Sequence, residues 1–242
     1  MPARLVLSGG RGRVDLAVRF GVLDRPGQLP VLIDAGWPDR CPGEGAALWL
    51  YRKLLRPQID AAQSPDAVLK GRQAGALLLS HLHADHLGRA RTLAGVPIHA
   101  PGYAVANARR HPWWALRHGV MTALLPNVVI DLAGEALLPF NLGRGRDVLG
   151  DGSVLSVPLP GHADGHTGFL FPAFDPPVLY AADVQWVWPA IADQRPPRGP
   201  ARAVYADARS AMESLTRVRA FAAAGGRVVL CHDPAPVTGF AT

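Results

Sequence analysis

An α/β protein is expected on three grounds. Short apolar runs alternate with helical stretches along the chain. The 242 residues suffice for one domain with a substantial core. Several apolar runs end in histidine or aspartate, which is how strands deliver ligands to a site on the loops at a sheet edge. A hydrophobic content of 49% with 18% charged residues places the chain among globular rather than disordered proteins.

The opening is β-rich, with strands expected at Arg4 to Leu7, Val14 to Phe20 and Leu29 to Ile33, separated by Gly- or Pro-containing turns. The third strand runs into Asp34-Ala35-Gly36, a carboxylate followed by a residue that permits a sharp turn. A helix is expected from Gly45 to Ala62, and another from Ser64-Pro65, a serine N-cap with proline in the first turn. The strand Ala76 to Ser80 follows, then a helix at Leu87 to Ala94, a strand at Val96 to Ala100 and a helix at Gly102 to Arg110. Between His111 and Asp147 periodicity is weak. Trp113, Trp114, Leu116, Val120, Met121 and Leu124 read as core or subunit contact, with a substrate-pocket wall as the alternative. Strands return at Val154 to Leu159, Gly168 to Phe171 and Val178 to Ala181. A helix from Val204 to Ala224 then carries Ala208, Met212, Leu215 and Val218, and a strand from Arg227 to Leu230 closes the pattern. No repeat of fixed period occurs, and Pro196-Pro197-Arg198-Gly199-Pro200 reads as a loop rather than a linker, so residues 1–242 are expected to form a single domain.

The formal charge of +6 is almost all arginine, since Lys53 and Lys70 are the only lysines. The arginines are spread out, with no basic run, so nucleic acid is not the expected partner; a small-molecule substrate is. Cys41 and Cys231, far apart in the chain, read as reduced thiols rather than a disulfide framework. The N-terminus lacks an uninterrupted apolar segment of the signal-peptide kind, and no apolar run approaches the ~18 residues of a membrane span. A cytoplasmic enzyme without a membrane partner is the expectation, with a homodimer left open.

The most informative run is His81-Leu82-His83-Ala84-Asp85-His86, directly after the apolar Gly75 to Ser80. Alternation along an extended segment sends His81 and His83 to one side, and the turn that follows can aim Asp85 and His86 at a second point nearby. Mixed nitrogen and oxygen donors of this type bind borderline divalent metals such as zinc. Three further strand ends carry ligand-type residues: Gly161-His162-Ala163-Asp164-Gly165-His166, then Asp183 after Tyr180-Ala181-Ala182, then Cys231-His232-Asp233 after Val228-Val229-Leu230.

In these motifs the chain resembles the metallo-β-lactamase superfamily, whose signature is His-x-His-x-Asp-His followed by a Gly-His turn, a lone Asp after a strand and a late His. The resemblance extends from Asp34 to His232 and implies a four-layer αββα sandwich with a metal site along one edge. It further implies two divalent metal ions, zinc first, with manganese, iron or cobalt as alternatives. His81, His83 and His162 would hold one, Asp85, His86 and His232 the other, and Asp183 would bridge them together with a hydroxide. Asp34 would orient a ligand by hydrogen bonding, and His166 would be structural or would support a ligand from behind. Such a site implies hydrolysis, in which Asp85 or Asp183 moves a proton to the leaving group. His99, His111 and His118 match no ligand position.

Within the superfamily, size and layout are most like the N-acyl-homoserine lactonase group, which implies opening of a lactone or ester. Those lactonases usually carry a tyrosine three residues after the bridging aspartate, where its hydroxyl helps hold the lactone carbonyl. Here that position is Trp186, whose indole N–H donates one hydrogen bond but cannot act as a phenol does. Trp186, Trp188 and Pro189 read either as loop packing or as an apolar wall, which keeps an arylesterase or phosphotriesterase of the same fold as the alternative. Thioester hydrolysis and RNA processing stand further back: the chain has no basic C-terminal region suited to glutathione and no obvious arm for RNA.

Overall fold

The computed structural model describes residues 12–38, 46–88, 90–91, 93, 95–193 and 205–238. The strand expected at Arg4 to Leu7, Cys41 and the Pro196 to Pro200 loop lie outside them. Phe20–Leu132 forms one compact unit, and Ala133–Thr242 with the stretch ending at Arg19 forms the other. Each contains one sheet, so the mixed α/β class and the two strand-rich halves are both present.

The first sheet has the order β1 (Gly21–Leu23), β2 (Val31–Ile33), β3 (Ala76–Leu78), β4 (Ile98–Ala100), β5 (Ile130–Asp131). β1 pairs antiparallel with β2, and every later pair is parallel. The inner strands β2 and β3 are buried along their whole length, which is why Val31-Leu32-Ile33 and Ala76-Leu77-Leu78 are continuous apolar runs rather than alternating ones. Helix α1 (Ala46–Leu55) ends well before the expected Ala62. Arg56 takes a left-handed φ of 48° and Pro57 follows, and a residue before proline is pushed out of the helical region. Helix α2 (Pro65–Leu69) starts as read, with the Ser64 hydroxyl accepting from the Ala67 N–H.

Helix α3 (Ala84–Leu87) falls earlier than the expected Leu87 to Ala94. Gly88 caps it in a non-helical conformation (φ 2°, ψ −80°), where a Cβ would run into the carbonyl oxygens of Ala35 and Gly36. Helix α4 (Gly102–Arg110) matches its expected bounds, and α5 (Pro112–Arg117) follows. The apolar segment beyond His111 splits: Val120, Met121 and Leu124 are buried, whereas Trp113 is 83% exposed.

The second sheet has the order β11 (Arg227–Leu230), β10 (Val178–Ala182), β9 (Thr167–Phe171), β8 (Leu155–Pro158), β7 (Arg144–Asp147), β6 (Ala136–Leu137). Only β10 and β11 pair in parallel, joined through α6 (Trp188–Ala192) and α7 (Ala208–Ala223). Helix α7 inserts Leu215, Val218 and Phe221 into a core with Leu170, Leu179 and Leu230, a stripe at the spacing of one helix face. The strand expected at Val14 to Phe20 is instead an extended segment: Val14 and Leu16 pack against the cluster of Trp186, Val187 and Ala190, and the Ala17 N–H bonds the His232 carbonyl. No helix among the described residues is long and apolar enough to cross a membrane.

Candidate metal centre

In the unit of Phe20–Leu132, β3 runs into the histidine cluster. Leu77, Leu78 and Leu79 are fully buried, which fixes where the chain emerges, and the Asp34 N–H bonds the Leu78 carbonyl (2.8 Å) while the Ala35 N–H bonds that of His86 (2.8 Å). Asp34 is fully buried and left-handed (φ 57°), a conformation its short polar side chain tolerates better than most. Its carboxylate accepts hydrogen bonds from the Ser80 N–H (2.8 Å), the Ser80 hydroxyl (2.9 Å) and His86 Nδ1 (2.8 Å). With its proton on Asp34, the Ser80 oxygen is left to accept from His81 Nδ1 (3.0 Å).

These partners set the tautomers. Oxygen partners at Nδ1 place the proton of His81 and His86 there, which leaves Nε2 of each as the nitrogen able to coordinate. His83 is the reverse: its Nε2 donates to the His118 carbonyl (2.8 Å), and its Nδ1 lies 2.9 Å from His81 Nε2. The three imidazoles are buried and touch, with ring centroids 4.5 Å (His81–His83) and 4.0 Å (His81–His86) apart. Asp85 sits in the first turn of α3, also buried. His118 contributes its backbone oxygen while its ring lies against Trp114. Asp34 thus orients a histidine by hydrogen bonding, the role expected of it. In an Asp34→Asn variant one donor faces an amide N–H₂; metal affinity, measured by competition with a chromophoric chelator, should fall about 10- to 100-fold.

The other unit supplies His162, Asp183 and His232, all buried. The turn carrying His162 lies against the first turn of α7; Gly161 (φ 127°) is required there because a Cβ would strike the Ala211 backbone. Asp183 follows Ala182, whose φ of 44° is unusual for a residue with a side chain, at a point where the β10–β11 register shifts. The irregularity re-aims the chain so that Asp183 leaves the sheet edge sideways. Its Oδ2 lies 3.0 Å from His232 Nε2 and 3.4 Å from His162 Nε2. His232 donates its other proton, on Nδ1, to the Ala17 carbonyl (2.7 Å). Burial by itself pulls His232 down, but the Asp183 carboxylate, with Cys231, holds its pKa well above the usual histidine value. His166 spends both nitrogens on the backbone: Nδ1 donates to the Leu159 carbonyl (2.8 Å) and Nε2 accepts from the Asp183 N–H (3.1 Å).

This donor set fits divalent cations. His81, His83, His86 and His232 each commit one ring nitrogen to an oxygen, the arrangement that orients histidine ligands and raises their basicity. The buried imidazoles of His81, His83 and His86, packed against one another with the buried carboxylates of Asp34 and Asp85 in the same turns, are the nitrogen and oxygen donors that such cations take.

Two further residues stand near these donors, neither assigned a role at the site from sequence. The ligand atoms of Cys231, Asp183 and His232 lie within 4.8 Å of one another, and the Cys231 thiol donates to the Arg19 carbonyl (3.4 Å). Tyr205 stands edge-on to His162, ring centroids 5.0 Å apart. Burial, and after it the negative charge of Asp183, push its phenol up, so the hydroxyl keeps its proton. No local signal marks Tyr205, since its position depends on the docking of α7.

The Metallo-beta-lactamase superfamily profile matches residues 21–224. The chain is 33% identical over 120 residues to "Gamma-lactamase FDB1" of Fusarium pseudograminearum (strain CS3096), a match over 47% of this chain and 29% of that protein, so it spans under a third of the length of this curated relative. Two solved structures share the fold. One is an N-acyl homoserine lactone hydrolase with the product N-hexanoyl-L-homoserine bound at the catalytic metal centre (TM-score 0.68, 20% identity, covering 99% of this chain and 93% of that one). The other is a mutant of B. thuringiensis AiiA with N-decanoyl-L-homoserine bound at the active site (TM-score 0.69, 20% identity, 99% and 93%). With the profile spanning most of its length and its strand ends carrying the His and Asp donors in order, this chain belongs to the metallo-beta-lactamase superfamily.

Proposed function

We propose that this protein opens a lactone or related ester, of the N-acyl-homoserine-lactone kind, at a dinuclear centre. As a member of this superfamily with a His and Asp donor set in place, it is a metal-dependent hydrolase. In this reading the two units act as one domain. His81, His83 and His162 hold one cation, Asp85, His86 and His232 the other, and Asp183 serves both; zinc suits these donors best, with manganese, iron or cobalt able to replace it. Such cations supply Lewis acidity and bring the pKa of bound water from about 15.7 to near 7. The protein's own residues do the rest. The imidazoles, fixed through Ser80, Asp34, His118 and Ala17, keep the donors aimed without reorganisation. Asp85 or Asp183 accepts the proton lost by the attacking water and returns it to the alkoxide that leaves as the ring opens.

The observation that carries the hydrolytic reading is that His81, His83, His86 and His232, all buried, each turn one ring nitrogen to a fixed oxygen partner. The choice of a lactone is supported by the layout of the sequence and by the likeness to solved lactonases. Trp186, at the position where lactonases carry tyrosine, favours a second reading, an arylesterase or phosphotriesterase. The experiment is proton release by the zinc-loaded protein with short- and long-chain homoserine lactones, followed with a pH indicator. Acid production abolished by a chelator is the expected result. Silence from protein shown to hold two metals per chain, together with turnover of aryl esters or phosphotriesters, would replace the first reading with the second.

A further inference from the structure

Two hydrogen-bond donors stand buried beside His162 and Asp183 with no acceptor among the described residues: the phenol O–H of Tyr205 and the indole N–H of Trp186. Both side chains are 8% exposed. Both meet His162 edge-to-face, Tyr205 at 5.0 Å between ring centroids and Trp186 at 6.4 Å, and Trp186 meets His232 in the same way at 6.3 Å. The two rings therefore border the group formed by His162, Asp183 and His232.

Packing alone does not account for the pair. A buried donor left without a partner costs about 1–3 kcal/mol, and phenylalanine at either position would keep much of the ring packing without that cost. Two such donors against the same imidazole imply an acceptor that arrives from outside. The donors are neutral and buried, which suits an oxygen that gains negative charge as a carbonyl is attacked. A lactone presents such an oxygen.

We propose that Tyr205 is a catalytic residue whose hydroxyl, with the Trp186 indole N–H as second donor, receives the carbonyl oxygen of the lactone as the tetrahedral centre forms. The inference rests on the lactone reading above. No proton changes hands in this contact; both groups only donate hydrogen bonds. It also gives the chain a phenol near its metal ligands although Trp186 occupies the place where lactonases carry theirs.

The test compares wild-type protein, Tyr205→Phe and Trp186→Phe, each full-length and zinc-loaded, on N-hexanoyl-homoserine lactone. Metal content, melting temperature, kcat, KM and calorimetric affinity for ring-opened N-hexanoyl-homoserine are recorded. Tyr205→Phe should lower kcat about 100-fold, the usual effect of removing one such donor, with KM changed far less. Metal content should be unchanged, the melting temperature should not fall, and product affinity should drop. Placing a phenol at the neighbouring position, as Trp186→Tyr in the Tyr205→Phe background, should recover part of kcat. An unchanged kcat, or a loss that merely follows metal content, would overturn the assignment. If metal-loaded wild type opens no lactone, the functional reading fails by itself. The donor pair then fails too only if Tyr205→Phe turns over the aryl ester or phosphotriester hydrolysed in its place at the wild-type rate.

Discussion

Asp183→Asn protein is expected to bind less metal than wild type and to lose hydrolysis with it. Asp183 is 2% exposed, and its Oδ2 faces Nε2 of both His162 and His232. Asparagine has the same shape, so the fold should persist, with His166 still accepting from the backbone N–H of residue 183. What disappears is the negative charge at the meeting point of two histidines, and an N–H₂ group, a donor, takes the place of one oxygen. Even partners that only orient ligands are worth about 10- to 100-fold in metal affinity or activity, so losing a shared anionic ligand should cost at least ~100-fold. Elemental analysis and lactone turnover on one preparation measure both quantities. His83→Ala should act in the same direction, because it removes the nitrogen that lies 2.9 Å from His81 Nε2. Full activity in either variant would show that the ligands are assigned wrongly.

Gly88→Ala should damage the fold severely. An added Cβ would overlap the carbonyl oxygens of Ala35 and Gly36, and main chain cannot swing aside as a flexible side chain could. The Ala35 N–H also holds the His86 carbonyl, so relieving the clash means separating the turn after β2 from the turn that carries the ligands. Overpacking of this kind costs typically 1–3 kcal/mol, and with backbone on one side of the clash about 3 kcal/mol or more is expected. A urea titration should show an earlier midpoint, and metal affinity should fall alongside. A midpoint equal to wild type would mean that the two turns can part at little cost.

Features specified by neighbours in sequence are legible in the sequence itself. Gly102–Arg110 and Arg227–Leu230 are bounded by their own residues, so both lie where their residues place them. Differences arise where distant chain intervenes. The helix expected at Leu87 to Ala94 gives way to Ala84–Leu87 because Gly88 meets the backbone after β2. The strand expected at Val14 to Phe20 is shaped by Trp186 and His232 instead of by a neighbouring strand. The early stop of α1 is a local matter, set by Arg56-Pro57, and the apolar pattern beyond it conceals the break. Asp34 is legible as a strand-end carboxylate, but its hold on Ser80 and His86 is not visible in composition. Tyr205 leaves no trace, because nothing near it in sequence relates it to His162.

The parallel pairing of β10 with β11 also bears on the order in which the molecule assembles. Adjacent parallel strands must be joined by a crossover, and here the chain passes through α6 and α7 before β11 can dock. Asp183 leaves the end of β10 and His232 follows the end of β11, so this contact has no local precursor in the unfolded chain. It comes into being only after a distant loop has closed, a slow kind of step. A cation that requires both residues recognises the finished chain and not its unfolded forms. By mass action its binding adds to stability, by about 2.7 kcal/mol at a free concentration one hundred times its dissociation constant. Metal supply in the cell would therefore govern how long the protein survives as well as how fast it works.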